Sequence, residues 1–195
     1  MDLFVTRVSD YVISDIDTLR FDIINHVLEE EATAEPHKSY SMRGQTGYHS
    51  YDDLCNREEP WSKDLKLLLH RMLQDHAVHL NRPVPPPEIA RINCWAMVMR
   101  KGDFSSFHNH PSALFSGVLY LDVPEQLDEK EGQLVFVDPR AQTRVGRYYD
   151  HDVFHRITPK VGHGYVFPNW LDHFVDPHYC EGTESHCHLT YVTCE

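Results

Sequence analysis

Beyond the proline-rich run at residues 83–87 the chain changes character, and that change is the strongest constraint on its fold. The stretches "IARINCWAMVM", "ALFSGVLYLDV", "GQLVFVD", "VGRYYDHDVF", "GYVFP" and "CHLTYVT" are short and rich in β-branched and aromatic residues. Such residues suit a pleated, half-buried surface, and the Gly, Pro and Asp between them set turns. Short strands at regular spacing predict a sandwich or barrel.

Before the prolines the period is helical. In "SDIDTLRFDIINHVLEEE", Ile16, Leu19, Ile23 and Val27 share one face, and Ser14 stands three residues ahead of Asp17 as in a capping box. A second helix is predicted in "SKDLKLLLHRMLQDHAVHLN", where Leu65, Leu68, Leu69, Met72 and His76 share a face and Asn81 with the prolines ends the pattern. His70, His76 and His79 read as surface or packing residues of that helix. With no internal repeat or low-complexity linker, residues 1–195 are expected to form one domain. Its helical layer and edge strands would lie in 1–85 and its barrel in 86–195.

Charge narrows the partners. The formal net charge is −12, acidic residues cluster in "EEEATAE" and "EQLDEKEG", and basic residues form no long run. Phosphate backbones would be repelled, so no nucleic-acid partner is expected. The first residues have neither a basic segment nor an apolar core, and no stretch is long and apolar enough for a membrane span. Five cysteines without a regular framework fit a reduced, cytoplasmic protein, and a homodimer remains open.

Fifteen of the 195 residues are histidine, so a His-x-His pair alone says little. His186 and His188 form one such pair, and His108 and His110 another. Context separates them. If 104–110 is a strand, His108 and His110 face the same side while Asn109 faces the other. A third histidine, His173, follows a strand at Tyr165–Phe167 and a Pro-Asn turn. The spacing G-x5-H-x-H, then G-x5-P-x4-H, runs through Gly102, His108, His110, Gly162, Pro168 and His173. Glycine allows tight corners, proline fixes a turn, and the three imidazoles would meet at the barrel mouth. Double-stranded β-helix metalloproteins, the jelly-roll group that includes cupins, share this layout.

The stretches "GYHSYDDL", "NCWAMVMRKGDFSSFHNHP", "SGVLYLDVP", "GQLVFVDPR" and "FPNWLDHFVDP" carry a closer resemblance. The chain resembles the 2-oxoglutarate and Fe(II)-dependent oxygenase superfamily, in its short "putative 2OG-Fe(II) oxygenase" subgroup. The resemblance implies iron held by His108 and His173, with His110 where most members carry a carboxylate. An imidazole there leaves the metal one unit more positive, which the 2-oxoglutarate dianion would offset. Three histidines with an open position also suit zinc. The resemblance further implies that Tyr120 binds the 2-oxoglutarate tail, although an inward aromatic that fills the barrel would look the same. An arginine usually clamps that tail from the last strand. Here "SHCHLTYVTCE" has none, and His186 occupies the slot. Arg140, Arg144, Arg147, Arg156 and Lys160 are candidates to reach in from elsewhere, because a planar guanidinium matches a carboxylate with two hydrogen bonds.

The implied function is a non-haem Fe(II) and 2-oxoglutarate-dependent dioxygenase. It would use O2 to hydroxylate or otherwise oxidise a C–H bond of a small molecule or amino-acid-like substrate, releasing succinate and CO2. The missing arginine keeps an alternative open: a three-histidine, cupin-type dioxygenase or isomerase that does not use 2-oxoglutarate. Trp95, Phe107, Phe115, Phe154 and Trp170 are candidate walls for the substrate pocket.

Overall fold

Alternation along the strands beyond the prolines sorts their side chains into two cores. The computed structural model describes residues 5–34, 46–111, 113–125, 127–140, 153–180 and 186–194, and in the last segment the side chains of 189–191 only. Its strands are β1 (Ser9–Val12), β2 (Tyr48–His49), β3 (Arg91–Met99), β4 (Ser105–His108), β5 (Phe115–Asp122), β6 (Leu134–Val137), β7 (Phe154–Ile157), β8 (His163–Pro168), β9 (His173–Val175) and β10 (His186–Cys194). The helices are α1 (Asp17–Thr33) and α2 (Pro60–His79). The strand expected at 145–154 lies outside the described residues except at its end, where β7 begins.

One sheet runs β1-β8-β5-β10-β3-β2 and the other β4-β9-β6-β7. From β3 onward the chain passes between them, with β3, β5, β8 and β10 in the first and β4, β6, β7 and β9 in the second. That winding is a double-stranded β-helix, and β1 and β2 extend its larger sheet at both edges.

On β5, Phe115, Leu119 and Leu121 face outward and pack with Ile23 and Val27 of α1 and Leu65, Leu69, Met72 and Leu73 of α2. Val118 and Tyr120, at the alternate positions, face between the sheets and join Met97, Leu134, Phe136, Tyr165, Phe167 and Val175. The helices therefore cover the outer face of the larger sheet, and a second core fills the barrel. No helix among the described residues is long and apolar enough to cross a membrane.

The corner glycines Gly102 and Gly162 have φ of 87° and 77°, a region that disfavours a Cβ. The Ser14–Asp17 capping box, by contrast, is not made. Helix α1 starts at Asp17 with Ile16 as its N-cap and no side-chain cap. The buried Ile16 side chain and a 2.8 Å Arg20–Asp17 ion pair anchor that end instead. The second helix ends as its sequence suggests, with Asn81 in the left-handed region at φ 52°.

Candidate metal centre

His108 is the last residue of β4 and His173 the first of β9, and the two strands pair with these residues opposite each other. Both rings therefore project from adjacent strand ends into the barrel, with centroids 4.3 Å apart. His110 arrives differently. Strand β4 stops at His108, so strand alternation does not aim His110 as the spacing suggested. Pro111 follows it and disfavours a helical conformation. The His110 amide donates to the Asn169 carbonyl at 3.0 Å, and the Asn169 side-chain amide donates back to the His110 carbonyl at 3.4 Å. Asn109 donates to Asp172 at 2.8 Å. These bonds lace the HNH segment to the turn that precedes His173. The His110 ring centroid then lies 5.1 Å from that of His108 and 5.2 Å from that of His173.

Hydrogen bonds set the tautomers of two rings. His108 Nδ1 donates to the Ser106 carbonyl at 2.7 Å, and His173 Nδ1 donates to the Leu171 carbonyl at 2.9 Å. A carbonyl only accepts, so in both rings Nδ1 carries the proton and Nε2 keeps its lone pair. His110 Nε2 is buried and has no hydrogen-bond partner among the described residues. Burial is the main cause that pushes all three imidazoles below the ordinary histidine range, His110 to about 4 and His173 well below. At neutral pH the cluster is uncharged, the state in which imidazole binds a metal.

One ring atom from each histidine, taken together, lies within 4.8 Å of the others, so the cluster can hold a metal ion. Metal–nitrogen bonds of ~2 Å require a somewhat closer approach, which ring rotation can supply. A cavity of about 30 Å³ adjoins His108 and His173, walled by Trp95, Met97, Val118, Leu134, Phe167 and Thr190. The described residues around it contribute no carboxylate, lysine or arginine. A metal there would meet neutral protein donors and leave its charge for anionic ligands to balance.

The other candidates are scattered. Tyr120 is fully buried inside the barrel, two residues along β5 from Val118 of the cavity wall. Burial pushes its phenol strongly up, so it remains a protonated donor. His186 opens β10 with its backbone opposite Met99, and its side chain lies outside the described residues, as do Arg144 and Arg147. Arg140 does not reach the histidines' cavity. It borders a separate concavity of about 540 Å³ near Phe136, His155 and Leu171, with its guanidinium held by Asp138 at 2.5 Å. Arg156 is also outside the cavity, paired with Asp176 at 3.2 Å and lying over Phe154. Lys160 is exposed. Of the five aromatic candidates only Trp95 lines the cavity. Phe115 faces the helical layer, and Phe107, Phe154 and Trp170 are exposed. Sequence reasoning passed over Asn109, Asn169 and Asp172, whose one signal is that they flank the histidines and proline of the motif.

Comparison with known proteins follows the same region. Residues 93–186, which hold all three histidines, match the sequence model of the family described as "Putative 2OG-Fe(II) oxygenase". No curated protein matches the chain in sequence. Among solved structures, a Pseudomonas putida prolyl-4-hydroxylase superposes with a TM-score of 0.70 at 15% identity, covering 98% of this chain and 94% of that one. The non-haem alpha-ketoglutarate-dependent carbocyclase SnoK of nogalamycin biosynthesis gives 0.60 at 12% identity, covering 96% and 79%. EvdO2 from Micromonospora carbonacea var. aurantiaca, in complex with 2-oxoglutarate, gives 0.56 at 11% identity, covering 97% and 87%. At these identities the likeness shows a shared fold.

Proposed function

We propose that the chain is a member of the 2OG-Fe(II) oxygenase family, whose sequence model its barrel residues 93–186 match, and that it hydroxylates a C–H bond of a small molecule or an amino-acid-like substrate. In this reading His108, His110 and His173 hold Fe(II). When bound, the iron supplies dioxygen activation coupled to oxidative decarboxylation of 2-oxoglutarate to succinate and CO2. The observation that carries the reading is the convergence of three neutral imidazoles, two with Nδ1 tied back so that Nε2 keeps its lone pair.

The chain's own residues bind, orient and exclude water. Carbonyls of Ser106 and Leu171 keep two rings in the metal-binding tautomer. Three neutral donors, where two with a carboxylate are usual for this chemistry, leave the centre one negative charge short. The 2-oxoglutarate dianion makes up that charge. Tyr120, a buried phenol kept protonated, donates to the far carboxylate, and His186 on the last strand assists. Apolar walls of Met97, Val118, Leu134 and Phe167 exclude water from the reacting atoms. The likeness in fold to a prolyl-4-hydroxylase supports hydroxylation and an amino-acid-like substrate.

One observation favours a second reading, a three-histidine oxygenase or isomerase that does without 2-oxoglutarate: no arginine lines the cavity among the described residues. Anaerobic addition of 2-oxoglutarate to the Fe(II)-loaded protein, followed by air, separates the two. A weak visible charge-transfer band and succinate release support the proposal. Oxygen uptake on a substrate without succinate supports the second reading, and absence of any metal binding refutes both.

A further inference from the structure

Two of the three imidazoles are steered by hydrogen bonds, and the third is not. Among the described residues the buried His110 Nε2 has no hydrogen-bond partner, and its backbone lies past the end of β4. A ligand on irregular backbone needs something else to fix its ring. The neighbour in place is Trp95, an inward-facing residue of β3 whose ring centroid lies 5.8 Å from that of His110 at 59°. Against the indole stacks His49 of β2, 5.4 Å away and nearly parallel at 14°.

His49 is itself anchored. It is buried, and its Nδ1 donates to the Ser50 carbonyl at 2.6 Å. Ser50 is in turn bonded to β3 beside Trp95: its amide donates to the Ala96 carbonyl at 3.0 Å, and its hydroxyl accepts the Ala96 amide at 2.9 Å. The order is thus a fixed backbone, a stacked imidazole, an indole and then the His110 ring.

We propose that Trp95, backed by His49, is the positioning residue that turns His110 toward His108 and His173. The proposal rests on the three-histidine metal reading. Packing against the tilted indole takes the part that carbonyl acceptors take for the other two rings, and it makes a two-residue edge strand, β2, a support of the metal centre. Losing an outer support of this kind weakens metal affinity by roughly 10- to 100-fold.

The test is anaerobic titration with cobalt(II), read by its visible ligand-field bands, on the full chain and on the variants W95L, W95F, H49L, H110A and W95L/H110A. Far-UV circular dichroism checks that each variant folds, and H49L carries the test should W95L not fold. Expected is about a tenfold weaker affinity in W95L, with bands shifted toward those of H110A. H49L should show a smaller loss in the same direction, and W95F should stay near the parent. Adding W95L to H110A should cost nothing further, because the ring that Trp95 positions is already gone. Additive losses, or bands in W95L like the parent's, would overturn the positioning role while leaving the metal reading intact. Should H110A bind cobalt(II) as the parent does while H108A does not, His110 is no ligand, and the metal reading falls together with this inference.

Discussion

Lowering the pH from 7.5 toward 4.5 is expected to destabilise the protein through His76, a residue far from the metal centre in sequence and role. Its ring is wholly buried, with Nδ1 2.8 Å from Ser9 Oγ on β1 and an edge-on contact to Phe115 at 5.0 Å. Its Nε2 has no hydrogen-bond partner among the described residues. Burial pushes the imidazole down to about 4; Arg7 and His79 push the same way, and Asp75 opposes them. In the unfolded chain the group titrates near ~6.5. Since the folded value is the lower one, the unfolded state binds the extra proton between the two. Stability is therefore full above pH ~6.5 and is lost as the pH falls through that window toward the folded value. A gap of 6.5 to about 4 corresponds to about 3 kcal/mol once both forms are protonated. That is a large share of the ~5–15 kcal/mol by which domains are usually stable. Urea unfolding of the metal-free protein at half-unit pH steps, compared with H76F, isolates the effect. The acid sensitivity of the three cluster histidines is common to both proteins and cancels in the difference. The parent should lose up to ~1.4 kcal/mol per pH unit more than H76F between pH 6 and 4.5. Parallel curves would refute the reasoning, because they would mean that His76 titrates in the fold as it does in the unfolded chain.

Three further outcomes are expected. Metal at 100 times its dissociation constant should stabilise the parent by ~2.7 kcal/mol, and H108A and H173A should lose that gain, as read by thermal unfolding with and without added cobalt(II). Replacing Gly117 by Ala drives a Cβ into the ring of Tyr191, which is fully buried and donates to the Tyr165 carbonyl at 3.2 Å. Overpacking there should cost ~1–3 kcal/mol in urea unfolding, and an unchanged midpoint would contradict the packing account. Tyr120→Phe should raise the KM for 2-oxoglutarate roughly tenfold and leave cobalt(II) affinity unchanged, the effect of one lost hydrogen bond to a charged group. An unaltered KM would reduce Tyr120 to a core aromatic.

The histidines and the strands were legible for the same reason: both are written in local spacing. Short runs of β-branched and aromatic residues between Gly, Pro and Asp turns mark β3, β5, β6, β8 and β10, and the apolar faces around Ile23 and Leu69 mark the helices. The end of α2 was readable at Asn81 because left-handed backbone there is a property of one residue. The arginines were harder. Which cation reaches a cavity depends on strand pairing, and Arg140 and Arg156 are each held by an aspartate away from the histidines. Likewise, the start of α1 turned on the burial of Ile16, which no capping pattern encodes.

By itself, then, the sequence determined that a β-rich barrel would follow a helical layer and that His108, His110 and His173 stand at motif positions able to meet. Those features depend on neighbours a few residues apart. Only the tertiary structure decided how His110 is aimed, by the Asn109–Asp172 and His110–Asn169 bonds and by a stack running from His49 through Trp95. These contacts join residues separated by up to 63 positions and never by a helical or strand repeat. Their geometry exists only once the two sheets have closed on each other.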